Sequence, residues 1–191
     1  MAIRRPNYNQ IIKALIRDVA LKMPEFSHVK ASRILVVAGE ARRGSRGTVK
    51  PLAAEPGKPV IRFKGRRMLY CITLRPLFFR DSSAQDRIGT LLHELFHIAS
   101  QFDGTLHGGR RHTALGIEFS KKLRPLVREY LRLCSKEIKD AFAYDGEVHM
   151  LQWLERPGPR VVEGKVRKVY TEEQLFLGPI RMVTPRVRAL H

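Results

Sequence analysis

The chain has 191 residues, 43% of them hydrophobic and 28% charged, which is enough for one compact domain, short for two, and too apolar for wholesale disorder. Lys and Arg number 36 against 18 acids, a formal net charge of +18 that is spread along the chain and thinnest over residues 101–150. A field of this sign attracts nucleic acid, acidic proteins or an anionic surface, yet no base-reading motif accompanies it.

The elements follow in chain order. Apolar residues at helical spacing from Tyr8 to Met23 (Ile11, Ile12, Leu15, Ile16, Val19), stopped by Pro24, predict an amphipathic helix. Arg33–Ala38 (RILVVA) reads as a buried strand, and the polar, glycine-containing GEARRGSRGTVKP after it as a loop. Val60–Phe63 and Arg67–Leu74 (RMLYCITL) are strand candidates. Ser82 with Gln85 three residues on has capping-box spacing and opens a helix to about Ser100, its apolar face made of Ile88, Leu91, Leu92, Leu95 and Ala99. A glycine-rich turn (DGTLHGGRRH) separates it from a second long helix over Thr113 to about Phe142, in which Pro125 predicts a kink or break. From Gly146 on, prolines, basic groups and two strand-like pieces (Arg160–Tyr170, Ile180–Val187) predict an extension. The expected organisation is an α+β domain over residues 1–145, with a short, mostly antiparallel sheet, and a basic extension over 146–191 packed on it or paired as a β-ribbon.

Cys71 and Cys134 form no C-x-x-C pair and read as buried free thiols, which suits a reducing compartment. No apolar run approaches the about 18 residues of a membrane span, and no apolar core follows the basic N-terminus. A cytoplasmic protein that does not enter the membrane is expected.

The chemistry lies in His93-Glu94-Leu95-Phe96-His97. On a helix, residues four apart share a face, so two imidazoles can aim at one metal ion. Zinc accepts imidazole, and a catalytic site uses three protein ligands plus water. Glu94, beside the first ligand, can take a proton from that water and pass it to a leaving amine. The pattern lies mid-helix, away from the Leu91, Leu92, Leu95 face. Three residues compete for the third ligand. Asp103 belongs to a turn-like Asp-Gly; His107 precedes two glycines; His112 opens the next helix, two turns before Phe119. A helix end holds a ligand more rigidly than a glycine loop, which ranks His112 first and His107 as the alternative. Arg110 and Arg111 are weaker candidates for an oxyanion or a substrate carboxylate.

At these residues the chain resembles the zincin-like metallopeptidases, specifically the SprT-like and Spartan-like group. The stretch LLHELFHIASQFDGTLHGGRRH is also similar to metallopeptidases of bacterial and phage genomes, where a strand ending in R-P or P-R leads to the motif helix and F-D-G follows; here Leu74-Arg75-Pro76 and Phe102-Asp103-Gly104 match. The likeness runs from about Leu69 to Phe119 and is absent from the last forty or so residues. It implies a small α+β domain, one zinc ion on His93, His97 and a later histidine, and Glu94 as base acting on a protein or peptide. In SprT-like proteins the third histidine lies about four residues before an inward aromatic. Here His112 precedes Phe119 by seven and His107 by twelve, so both stay open. Spartan-like enzymes act on proteins crosslinked to DNA, and the basic charge is compatible with nucleic acid as a partner. The alternative reading is a nucleic-acid-associated basic protein whose zinc site is structural or degenerate; Glu94 discriminates, since a structural site has no use for a base.

Overall fold

A computed structural model describes residues 5–39, 45–52, 60–80, 82–110, 117–153, 169–170 and 175–181. The helices are α1 (Tyr8–Lys22), α2 (Pro76–Arg80), α3 (Ala84–Phe96), α4 (Ile117–Leu133) and α5 (Lys136–Ala143). The strands are β1 (Ile34–Ala38), β2 (Gly47–Pro51), β3 (Val60–Phe63), β4 (Arg66–Arg67), β5 (Tyr70–Leu74), β6 (Glu147–Trp153), β7 (Val169–Tyr170) and β8 (Leu175–Arg181). The fold is α+β.

The main sheet has the order β2-β5-β1-β6-β8. Its two central pairs, β1 with β5 and β1 with β6, are parallel, while β2 on β5 and β6 on β8 are antiparallel. The antiparallel pairing expected from the sequence therefore holds at the two edges, and the centre differs. All five residues of β1 are buried, as in a strand covered on both faces. Ile34, Val36 and Ala38 join the main core with α1 and α3; Leu35 and Val37 join a second cluster with Ile61, Met68 and Cys71. A small sheet, β4-β3-β7, adjoins it. Cys71 and Cys134 are buried free thiols, and burial pushes that of Cys71 up to about 12.

Three expectations shift when the chain is folded. The loop-like stretch that ends at Pro51 contains β2, a strand because β5 offers it a full register from Gly47↔Leu74 to Pro51↔Tyr70. The capping box is Ser83 with Asp86 rather than Ser82 with Gln85; the Ser82 hydroxyl is buried and donates to Leu77 O at 3.1 Å. The long second helix runs through Pro125 and breaks instead at Ser135, whose hydroxyl accepts from Ile138 N–H and starts α5. Residues 113–116 of that helix, and most of the strand-like pieces expected over 160–170 and 180–187, lie outside the described residues. The main sheet crosses the boundary expected at 145/146, since β6 lies between β1 and β8.

Two buried polar side chains hold the layers together. Arg87 on α3 is 4% exposed and donates to Phe79 O at 2.7 Å, Phe142 O at 2.8 Å and Tyr144 O at 2.9 Å, so one guanidinium joins α2, α3 and the end of α5. Asn9 on α1 bridges β1 and β6, which share a single register pair, Ala38↔Gln152. Its amide donates to Val36 O at 2.6 Å and accepts from Leu151 N–H at 2.7 Å. Asn9→Ala leaves both backbone groups without that partner and is expected to cost roughly 2–3 kcal/mol, read as a Tm lowered by about 5–10 °C. An unchanged Tm would mean that β1 and β6 hold together without the bridge.

Candidate active site

Helix α3 forms the floor of an open cleft of about 1110 Å³. Asp86, Gly89, Thr90, His93, Glu94 and His97 line it, a helical spacing that puts them on one face. Leu91, Leu92 and Leu95 are fully buried on the other. The edge strand β2 makes one wall through Gly47, Thr48 and Val49, and α4 the opposite wall through Leu123, Val127 and Leu131.

The His93 and His97 rings have centroids 5.0 Å apart at 76°. Both pack on Phe119 of α4, which is 1% exposed: His97 stacks on it at 4.7 Å and 19°, and His93 meets it edge-on at 4.9 Å and 61°. The aromatic ring fixes how the imidazoles are turned. His97 is the C-cap of α3 rather than an interior residue, so the helix ends at its second histidine, short of Ser100.

Glu94 is 5% exposed. Burial pushes its carboxyl up to about 7, against the opposing pull of the Val49 main-chain hydrogen bond and the Arg75 charge. A cation in the cleft would draw it down again. The close approach of β2 depends on Gly47, since a Cβ there would come within 3.3 Å of Glu94 Oε1. Arg75, 5% exposed, secures the same strand. Its guanidinium donates to Ser45 Oγ at 2.7 Å and Thr48 Oγ1 at 3.4 Å, and its N–H to Arg46 O at 2.9 Å. Gly47, Val49 and Arg75 are the site residues that sequence reasoning missed. The legible signal was an arginine at the end of an apolar strand, between Leu74 and Pro76.

Beyond α3 the chain doubles back. Ile98 bridges Leu106, and His107 N–H donates to His97 O at 2.8 Å. Phe102 (φ 50°) and Gly104 (φ 95°) take left-handed conformations. The Tyr70 hydroxyl accepts from Gly104 N–H at 3.0 Å and donates to Thr105 O at 2.9 Å. Asp103 is exposed and accepts from the N–H and hydroxyl of Thr105, which hold its carboxyl below the usual range. It builds the turn.

His107 is half-buried, and its Nδ1 has no hydrogen-bond partner among the described residues. His112 and Arg111 lie outside those residues, and Arg110 is described in backbone only. Among the described residues no three His, Cys, Asp or Glu side chains are gathered to hold a metal ion. The structure places His93, Glu94 and His97 along one cleft, and His107 is not among the residues that line it. The chemistry of the pair suits a metal ion: imidazole nitrogen is a common zinc ligand, and the two rings lie 5.0 Å apart, one turn of α3 from each other.

Paired imidazoles and a buried carboxylate thus share one open cleft on a small α+β domain. A family model described as "Putative phage metallopeptidase" matches residues 1–133, and the chain belongs to that family. No curated protein and no solved structure matches it.

Proposed function

We propose that this protein is a zinc-dependent metallopeptidase in which His93, His97 and His112 hold one zinc ion and Glu94 is the general base. The observation that carries the reading is the pair of imidazoles, 5.0 Å apart, in the same cleft as the buried Glu94 carboxylate. His112 stands first as third ligand because the end of an expected helix holds a side chain more rigidly than a glycine turn; His107 is the alternative. When bound, zinc supplies Lewis acidity and makes water acidic near neutral pH.

The chain's own residues do the rest. Phe119 orients the two imidazoles. Val49 and Arg75 hold the Glu94 carboxylate at the cleft wall. Glu94 takes the proton of the attacking water and passes it to the leaving amine. Arg110 and Arg111 are assigned the weaker role of steadying an oxyanion or a substrate carboxylate. The substrate is a protein or peptide, and the SprT-like resemblance is part of this reading. No described helix is long and apolar enough to cross a membrane, and the free thiols agree with a reducing cytoplasm. A purely structural zinc site would have no use for a buried carboxylate in its cleft.

Elemental analysis of the purified protein is the test. About one zinc per chain is expected in the wild type, and its loss in His93→Ala. His112→Ala should lower zinc content more than His107→Ala; the reverse order would move the third ligand into the turn. A wild type that takes up no zinc when zinc is supplied would end the proposal.

A further inference from the structure

The β3–β4 hairpin gathers positive charge around one aromatic ring and shares no residue with the cleft on α3. Phe63 pairs with Arg66, and the two residues between them, Lys64 (φ 49°) and Gly65 (φ 68°), are both left-handed. This turn suits the strand twist but favours Asn, Asp or Gly at its first position. A lysine there holds a backbone conformation that L side chains rarely adopt. The tip thereby carries an ammonium, with Lys64 Nζ 5.8 Å from the Phe63 ring centroid.

Helix α1 brings a second ammonium, Lys13 Nζ, to 5.4 Å from the same ring. Arg17, one turn along α1, and Arg66 are close enough to act on Lys13. Burial first, then repulsion from Lys64, Arg17 and Arg66, holds its ammonium below the usual range. Among the described residues Arg5, Lys22, Arg46 and Lys121 form ion pairs, and none joins these four cations to an acid. Like charges crowded on a strained turn are the kind of local conflict that a binding site resolves.

We propose that this tip binds single-stranded nucleic acid, with a base stacked on Phe63 and flanking phosphates held by Lys13, Lys64 and Arg66. An aromatic face between basic side chains is how sequence-tolerant single-strand sites are built, and the two lysine stems are flexible enough to swing from ring to phosphate. A lipid surface fits less well. Phe63 is half-buried against the second hydrophobic cluster and cannot act as an inserting wedge, and of the exposed residues around it Arg62, Lys64 and Arg66 are charged and Gly65 has no side chain.

The test is fluorescence anisotropy of a labelled oligothymidylate of about 12 nucleotides on the full chain, between about 50 and 200 mM salt. Lys64→Glu with Arg66→Glu, both exposed, leaves about two phosphates without their cations. It should weaken binding at least tenfold at the lower salt and flatten the salt slope by about 1.4. Lys122→Glu with Lys136→Glu, an equal charge change at other exposed positions, should alter binding less than about twofold. Phe63→Leu keeps the charge and should lose about tenfold with the salt slope unchanged. Equal losses from the two charge reversals would overturn the proposal, since only net charge would then be at work. So would a duplex of the same length that binds as tightly, or phosphatidylglycerol vesicles that bind through Lys64 and Arg66 where the oligonucleotide does not. Should Phe63→Leu fail to fold, the exposed pair decides.

Discussion

Glu94→Gln is expected to keep about one zinc per chain and to lower kcat/KM on a quenched-fluorescence peptide mixture by about 10²–10⁴. The amide has nearly the shape of the carboxylate and still accepts from the Val49 main chain, so β2 and the cleft should keep their form. What it lacks is a basic oxygen for the proton of the attacking water. Glu94 is not one of the three proposed zinc ligands, which is why metal content and turnover should separate. His93→Ala should lose both. A Glu94→Gln protein that retains full activity would remove Glu94 as base. One that loses zinc as well would make the carboxylate a ligand, and the fourth position would no longer be open to water.

Arg87→Met is expected to destabilise the fold by about 3–5 kcal/mol, because it strips a buried charge-assisted network from one side only. Met has similar length and adds no donor, so the carbonyls of Phe79, Phe142 and Tyr144 lose the guanidinium that joins them. For a chain of this size that is a Tm lower by roughly 10 °C or more. Zinc binding by the folded fraction should persist, since Arg87 does not line the cleft. A Tm within about 2 °C of wild type would mean that the guanidinium contributes less than about 1 kcal/mol of net stability.

The parts of the fold that a sequence displays are those set by near neighbours. Helix α1 was legible from its 3.6-residue apolar period and Pro24, and β1 from a run of apolar residues that both faces of the sheet bury. The spacing of His93, Glu94 and His97 was legible because a helix alone decides which side chains share a face. The capping box was visible but ambiguous: Ser82 and Ser83 each have a suitable partner three residues on, and only the carbonyl of Leu77, fixed by the short α2, draws Ser82 away. Strand β2 was hidden because Val49 is its one strongly β-forming apolar residue, and its strand character comes from pairing with β5. The approach of Gly47 to Glu94 was equally hidden, since it is made across the fold, and Arg75 showed only as an arginine ending an apolar strand.

The place of β6 has a consequence for the order in which the ribosome delivers this protein. One edge of β1 is taken by β5, about thirty residues later in the chain. The other waits for β6, which begins at Glu147. At roughly 5–20 residues per second, that edge, which β6 meets in register at Ala38, stays open for roughly 5–20 s of synthesis. Asn9 lacks its later partner throughout this interval and Arg87 over about its second half, as Leu151, Phe142 and Tyr144 are also still to come. An unpaired apolar strand edge is a template for pairing between chains, so nascent copies are most exposed to one another before β6 emerges, and a chain stopped at residue 133 would remain in that state.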